Sequence, residues 1–217
     1  MAKAALLFVG TDNGLVMFSD PGGLGRWLRI GRAFDGVPVQ AVWAQPDNPQ
    51  VALAAAGRQL QRSDDGGRSW QAVRDDLDVR SLHGDRSIPE DVTLLTSSGA
   101  RLMSQDAGQT WAASESGSAA HDPTRATLPG RDPVLLRAAA GGIERSADDG
   151  AAWEPTTSDA PWNGAITVVQ PSGYHIDTAF AGSDGGQIAI STDRGRTWHM
   201  IKQDLPPVRS IAAARLA

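Results

Sequence analysis

Four aspartates in this chain share one spacing. Asp65, Asp106, Asp148 and Asp193 each hold the third place of an octet Ser-x-Asp-x-Gly-x-x-Trp. The copies read Ser63-Asp-Asp-Gly-Gly-Arg-Ser-Trp70, Ser104-Gln-Asp-Ala-Gly-Gln-Thr-Trp111, Ser146-Ala-Asp-Asp-Gly-Ala-Ala-Trp153 and Ser191-Thr-Asp-Arg-Gly-Arg-Thr-Trp198. A single carboxylate so placed would suit general acid–base work or a calcium site. Four copies serve no single site, so the structural reading is preferred. The Asp accepts hydrogen bonds from the turn's own amides. The Gly takes a conformation that strains other residues, and the Trp (Trp70, Trp111, Trp153, Trp198) folds inward between sheets. No catalytic residue and no metal ligand is assigned.

The octets repeat. Trp27, Trp70, Trp111, Trp153 and Trp198 stand 43, 41, 42 and 45 residues apart, and a degenerate first copy, Ser19-Asp-Pro-Gly-Gly-Leu-Gly-Arg-Trp27, carries one extra residue. Each period holds four short β-type segments bounded by Gly, Asp, Ser and Pro. We label them A to D. D begins at the octet Trp (Trp70–Arg74, Trp198–Lys202) and A follows the next loop (Val39–Ala44, Val79–His83, Thr124–Leu128, Ala165–Val169, Val208–Ala213). B comes next (Ala5–Gly10, Val51–Ala56, Val92–Thr96, Val134–Ala139, Thr178–Gly182), and C precedes the octet (Leu15–Phe18, Gln59–Arg62, Ala100–Met103, Ile143–Arg145, Gln187–Ile190). Four strands in ~40–45 residues make a β-propeller blade. The chain opens on a B and ends on an A, so Val208–Ala213 is expected to complete the first blade beside Ala5–Gly10 and to remove two sheet edges. The expectation is an all-β, five-bladed propeller spanning residues 1–217 as one domain, with four antiparallel strands per blade. The rival is an open or half ring that pairs with a second chain.

In such a meander the octets, as C–D turns, share one end with the A–B connections. The B–C and D–A connections gather at the other end. The D–A loops there vary most: Gly31–Pro38, Asp75–Asp78, Ser114–Pro123, Thr156–Gly164 and Gln203–Pro207. Variable loops on a rigid scaffold are the usual place for binding. Aligning the A segments puts Gln40, Arg80, Arg125 and Arg209 in one column at that end, with Ala165 or a neighbour in the fifth repeat. Guanidiniums from three blades could converge on a carboxylate or phosphate. Alternatively each pairs with a loop acid, for which Asp35, Asp76, Asp78, Asp122 and Asp204 are candidates. A one-residue slip of register would turn the column to the other face. Trp162, in Asp159-Ala-Pro-Trp-Asn-Gly164, sits in a D–A loop and reads as a sugar platform, an interface anchor or loop packing. Trp43, inside a strand A, reads as packing between blades.

The octets match the Asp-box repeat, and all five periods resemble the bacterial neuraminidase-repeat (BNR) propellers. That superfamily includes sialidases, sortilin-type receptors, xyloglucanase-type glycosidases and photosystem II stability and assembly factors. The resemblance implies the fold and leaves the activity open. Sialidases bind the substrate carboxylate with an arginine triad, which would suit Arg80, Arg125 and Arg209. Other sialidase marks are missing. The one tyrosine, Tyr174, lies in an A–B connection away from the arginine column, and Arg86-Ser-Ile-Pro89 only echoes the Phe-Arg-Ile-Pro motif. Family sialidases also have six blades. The four Glu (Glu90, Glu115, Glu144, Glu154) form no evident pair of the kind glycoside hydrolysis needs. His83, His121, His175 and His199 show no metal-ligand spacing, and no Gly-x-Ser-x-Gly elbow occurs. Asp12-Asn-Gly14 and Asp184-Gly-Gly186 read as hairpin turns rather than calcium loops.

The composition narrows the classes further. A net charge of −5 over 217 residues argues against nucleic acid. No apolar run approaches the ~18 residues of a membrane span, and the absence of cysteine removes disulfides and thiolate chemistry. The first ten residues hold too short an apolar run for a secretory leader, which predicts a cytoplasmic site. No cofactor is expected. The expected function is a non-catalytic, assembly-factor-like propeller that holds another protein at its D–A/B–C loop face. The alternatives are a lectin-like module for a glycan or anionic small molecule and, third, a glycoside hydrolase or lyase.

Overall fold

The computed structural model describes residues 4–23, 25–84, 87–114 and 122–215, and these contain strands and turns but no helix. The strands form five sheets. Blade 1 holds β1 (Ala5–Thr11), β2 (Gly14–Asp20), β3 (Leu28–Ala33) and, inside them, β21 (Val208–Arg215). Blade 2 runs outward as β4 (Val39–Ala44), β5 (Ala52–Ala56), β6 (Gln59–Ser63) and β7 (Gln71–Arg74). Blade 3 is β8 (Val79–Gly84), β9 (Val92–Thr96), β10 (Arg101–Ser104) and β11 (Ala112–Ala113). Blade 4 is β12 (Arg125–Leu128), β13 (Val134–Ala139), β14 (Gly142–Ser146) and β15 (Glu154–Pro155). In blade 5, β17 (Ile166–Pro171), β18 (Ala179–Ser183), β19 (Ile188–Ser191) and β20 (Thr197–Lys202) are joined by a fifth strand, β16 (Thr157–Ser158).

The ring is closed as expected. β21 pairs antiparallel with β1, setting Leu7 against Ala213 and Val9 against Ile211, so the C-terminal strand supplies the innermost place of blade 1. β16 departs from expectation. The D–A segment Thr156–Gly164 reads as loop, yet Thr157 and Ser158 pair in parallel with Thr197 and Trp198 on the outer edge of blade 5.

Each octet builds its own turn. In the first full copy the Ser63 hydroxyl donates to Asp65 Oδ1 (2.9 Å) and accepts the Gly67 N–H (2.8 Å). The Asp65 carboxylate also accepts the amide (2.9 Å) and hydroxyl (2.6 Å) of Ser69. The Trp70 indole N–H closes on the Gly67 carbonyl (3.1 Å). Those donors, the Ser69 hydroxyl first, pull the Asp65 carboxyl down to about 2, and Thr110 does the same for Asp106, also to about 2. In the third copy Ala152 replaces the hydroxyl residue, and Asp148 is lowered chiefly by the Ala152 amide. Gly67, at φ 87°, could not be replaced. A Cβ there would collide with Met17 and Phe8 of blade 1.

Burial separates the seams between blades. Four apolar cores join neighbouring sheets: blades 1 and 2 around Phe8, Met17 and Ala54, and blades 2 and 3 around Leu53, Leu82 and Leu94. The other two join blades 4 and 5 around Leu136, Val169 and Trp198, and blades 5 and 1 around Phe18, Phe180 and Ile188. Among the described residues no such core joins blades 3 and 4. The middle strands tell the same story. β5 and β18 are buried at every residue, as sheets covered on both faces must be. β9 alternates buried and half-buried side chains, and β13 does so over Val134–Arg137; among the described residues both are covered on one face only. Thr93, Leu95, Leu135 and Arg137 are the half-buried members.

Candidate functional site

The uncovered faces of blades 3 and 4 bound a cavity of about 850 Å³ that runs into the central channel. Blade 3 contributes Ser81, His83, Thr93, Leu95 and Arg101, and blade 4 contributes Arg125, Thr127, Leu135 and Trp153. The inner strands β4 and β21 close the far wall with Trp43 and Ile211. Trp153 takes the Arg137 guanidinium over its ring at 4.0 Å, and Arg137 is ion-paired to Glu144 at 2.6 Å. Ser81 Oγ is buried and has no hydrogen-bond partner among the described residues.

The seam's end at the D–A and B–C connections carries charge. Arg125 stands 3.5 Å from Asp122 there, both well exposed, and Arg101 opens strand β10 across the seam. The predicted arginine column is brought together only in part. Gln40, Arg80 and Arg209 do line one cavity, at the channel mouth, but it holds only about 40 Å³. Arg209 is already engaged. Its Nε and Nη2 donate to the two carboxylate oxygens of Asp12 at 2.6 Å each, an interaction that raises the arginine and lowers the aspartate from their ordinary values. The partner comes from a B–C turn, not from the D–A acids. Arg80 is exposed and makes no ion pair among the described residues. Arg125 is separated from this trio and faces the larger cavity.

Trp162 packs inward. Its ring lies 6.5 Å from Trp198, against the core of blades 4 and 5. Trp43 is 6% exposed in the core of blades 2 and 3, as its strand position predicts. Tyr174 is half-buried below Arg215 at the octet end, and burial pushes its phenol above the ordinary value. Of the octet tryptophans, Trp198 is fully buried, Trp70 and Trp111 pack partly buried on their cores, and Trp153 faces the cavity. No cluster of three or more His, Asp or Glu able to hold a metal occurs among the described residues. Glu115, His121, Arg86 and most of the Ser114–Pro123 loop lie outside those residues.

The open seam carries a sequence signal that the octet spacing hides. In blades 2 to 5 one middle-strand residue pairs with the C-strand residue just before the octet serine: Leu53, Thr93, Leu136 and Phe180. In blade 1, whose ladder is shifted, Phe8 pairs with Met17 and takes the side facing blade 2. Phe8, Leu53, Leu136 and Phe180 each lie in the core shared with the following blade, and Thr93 is the polar exception.

The BNR/Asp-box repeat matches residues 61–72 and 189–200, around the first and last full octets. Among solved structures the chain is similar to YCF48 bound to D1 peptide (16% identity, 88% of this chain and 76% of that one, TM-score 0.43). It is similar also to the Niastella koreensis GH74 enzyme (12% identity, 92% of this chain and 36% of that one, TM-score 0.41). A third is YCF48 from Cyanidioschyzon merolae (13% identity, 95% of this chain and 71% of that one, TM-score 0.33). No curated protein matches. With the repeat matched at two octets, the octet turn recurring in two more blades, and five sheets closed into a ring by the terminal strand, the chain is a five-bladed β-propeller that carries the BNR/Asp-box repeat.

Proposed function

We propose that this propeller is a non-catalytic binding platform that holds an extended segment of another protein, admitted from the D–A/B–C end into the seam between blades 3 and 4. One observation carries the reading: two neighbouring sheet faces that are buried elsewhere in the ring here line a cavity of about 850 Å³. Ligand sites usually occupy roughly 300–1,000 Å³ and combine apolar walls with a few polar groups. Leu95, Leu135 and Trp153 supply the walls, Thr93 supplies a hydroxyl, and Arg101 and Arg125 stand at the mouth. The lectin alternative depends on an exposed Trp162, whose ring is packed on Trp198 instead.

Affinity capture by the wild-type protein and by seam variants tests the reading. Leu95→Trp fills the cavity and Arg125→Glu reverses charge at its mouth, while Arg68→Glu alters an exposed octet-end residue. A protein retained by wild type and Arg68→Glu, and lost from both seam variants with unchanged circular dichroism and melting, is the expected result. Capture indifferent to both seam substitutions, or a glycan-array signal that disappears in Trp162→Ala, would overturn it.

A further inference from the structure

The outermost strand of every blade is a sheet edge, and the molecule blunts most of them. β11 and β15 are two residues long, the latter containing Glu154 and Pro155, and β7 is four residues, of which Gln71, Ala72 and Arg74 are exposed. The edge of blade 5 is covered by β16. There Thr157 N–H donates to the Arg196 carbonyl (3.1 Å) and Asp159 N–H to that of Trp198 (3.0 Å). The Asp159 carboxylate in turn accepts the Met200 N–H (3.0 Å). Short, charged, proline-bearing or covered edges are how sheets avoid unwanted pairing.

Blade 1 does the opposite. Its edge strand β3 spans six residues, Leu28–Ala33, with no strand beyond it among the described residues. Leu28 and Ile30 are 59% and 54% exposed, the two most exposed large apolar side chains described. The degenerate octet extends its ladder by one pair at the octet end. In blades 2 to 5 the C–D ladder ends one residue before the octet serine, at pairs such as Arg62–Gln71 and Ile190–His199. In blade 1 the longer turn lets Phe18 pair with Arg29 and Ser19 with Leu28, so the ladder continues through the position of the serine itself. The residue extra to the ladder there, Ile30, is turned outward, as a β-bulge does.

We propose that β3 is a second docking edge, which takes an extended segment of a partner protein as a fifth strand of blade 1. Blade 5 supplies the precedent within the same molecule, since its outer strand accepts β16 and an aspartate in that added segment caps an edge amide. Charge selects the occupant. Arg26, Arg29 and Arg32 are exposed along or beside β3, the strand has no acidic residue, and Arg32 is ion-paired to Asp35 at 3.0 Å. A second copy pairing edge to edge would set arginines against arginines, which disfavours it. An extended segment that alternates acidic and apolar residues meets both the guanidiniums and the Leu28–Ile30 surface, while its main chain pairs with the edge.

The test titrates uniformly ¹⁵N-labelled full-length protein with a synthetic peptide, Ser-Leu-Asp-Leu-Glu-Leu-Asp-Ser, and follows backbone amide shifts. Shifts concentrated on residues 26–33, with apparent affinity reduced at least tenfold in Arg29→Glu and in Leu28→Ser/Ile30→Ser, are expected. All three substituted side chains are exposed, so the fold is retained. Shifts centred on Thr93, Leu95 and Leu135 instead, affinity unchanged in Arg29→Glu, or no shift at millimolar peptide would overturn the proposal. So would concentration-dependent dimerisation abolished by Leu28→Ser/Ile30→Ser, because the occupant would then be a second copy. The seam reading is untouched by these outcomes, as Leu95→Trp leaves β3 unaltered.

Discussion

The seam between blades 4 and 5 and the seam between blades 3 and 4 are built from the same octet, and only one of them is sealed. At the first, the blade 5 octet packs Gly195 on Leu136 of blade 4, and Arg145 Nε donates across to the Arg194 carbonyl at 3.0 Å. Trp198 is fully buried. At the second, Gly150 of the blade 4 octet faces only Leu135 and Trp153 of its own blade. The position of Arg145 is taken in blade 3 by Met103, which cannot donate, and Trp153 rests under Arg137. Both octets nevertheless form the same turn, with Ser146 and Ser191 each holding an aspartate and a glycine amide. The octet therefore shapes its own blade regardless of its neighbour. Sealing depends on an apolar face from the preceding sheet, which Leu136 offers and Thr93 does not.

The largest expected effect of this contrast lies in the tryptophans. Trp198→Ala should cost about 3–5 kcal/mol, as for a fully buried aromatic, and Trp153→Ala about 1–2 kcal/mol, because much of its area is never removed from water. Urea unfolding of the two variants measures the difference, and equal losses would break the comparison. Next in size is amide exchange. The N–H groups of Gly150 and Ala152 should exchange at least about tenfold faster than those of Gly195 and Thr197, since local opening at an uncovered seam uncovers less packed surface.

Acid adds a sharper distinction. Asp65 and Asp106 are held at about 2, below the ordinary 3.8, so their contribution to stability is complete above 3.8 and is lost as pH falls from there toward 2. Asp148 lacks the hydroxyl donor and should titrate above both in a carboxyl NMR titration, and Ala152→Thr should bring it down toward them. The smallest expected effect is Thr93→Leu, which restores an apolar residue at the seam. It should raise stability by no more than about 1 kcal/mol while weakening partner capture, and a gain without loss of capture would separate the seam from binding.

The ring was legible because tryptophan, aspartate and glycine recur at fixed offsets, and because the order of segments at the two ends left one place for Val208–Ala213. The arginine column was half legible. Strand phase put Gln40, Arg80 and Arg209 on one face, but spacing carries no information on which carboxylate reaches which guanidinium, and Asp12 lies 197 residues from Arg209. The open seam stayed hidden because an octet reports on its own turn. Its signal was the side chain one strand away, Thr93 among Leu53, Leu136 and Phe180, which becomes visible only when strands are aligned by register. Of the three readings open for Trp162, its contact with Trp198 is of the loop-packing kind, and Thr157 and Ser158 in the same segment, read as loop, pair with β20.

The chain contains no cysteine, so a single introduced thiol reports on one place without background. Leu95 and Ala55 occupy the same register position in blades 3 and 2, each facing the following blade, and Ala55 is 1% exposed within its core. The most direct measurement is the maleimide labelling rate of Leu95→Cys against Ala55→Cys in the native state. An uncovered seam predicts that Leu95→Cys reacts at least about 100-fold faster, because labelling at the sealed seam waits for a rare opening. Equal, slow labelling of both thiols would show the fifth seam to be packed like the other four and would contradict the account.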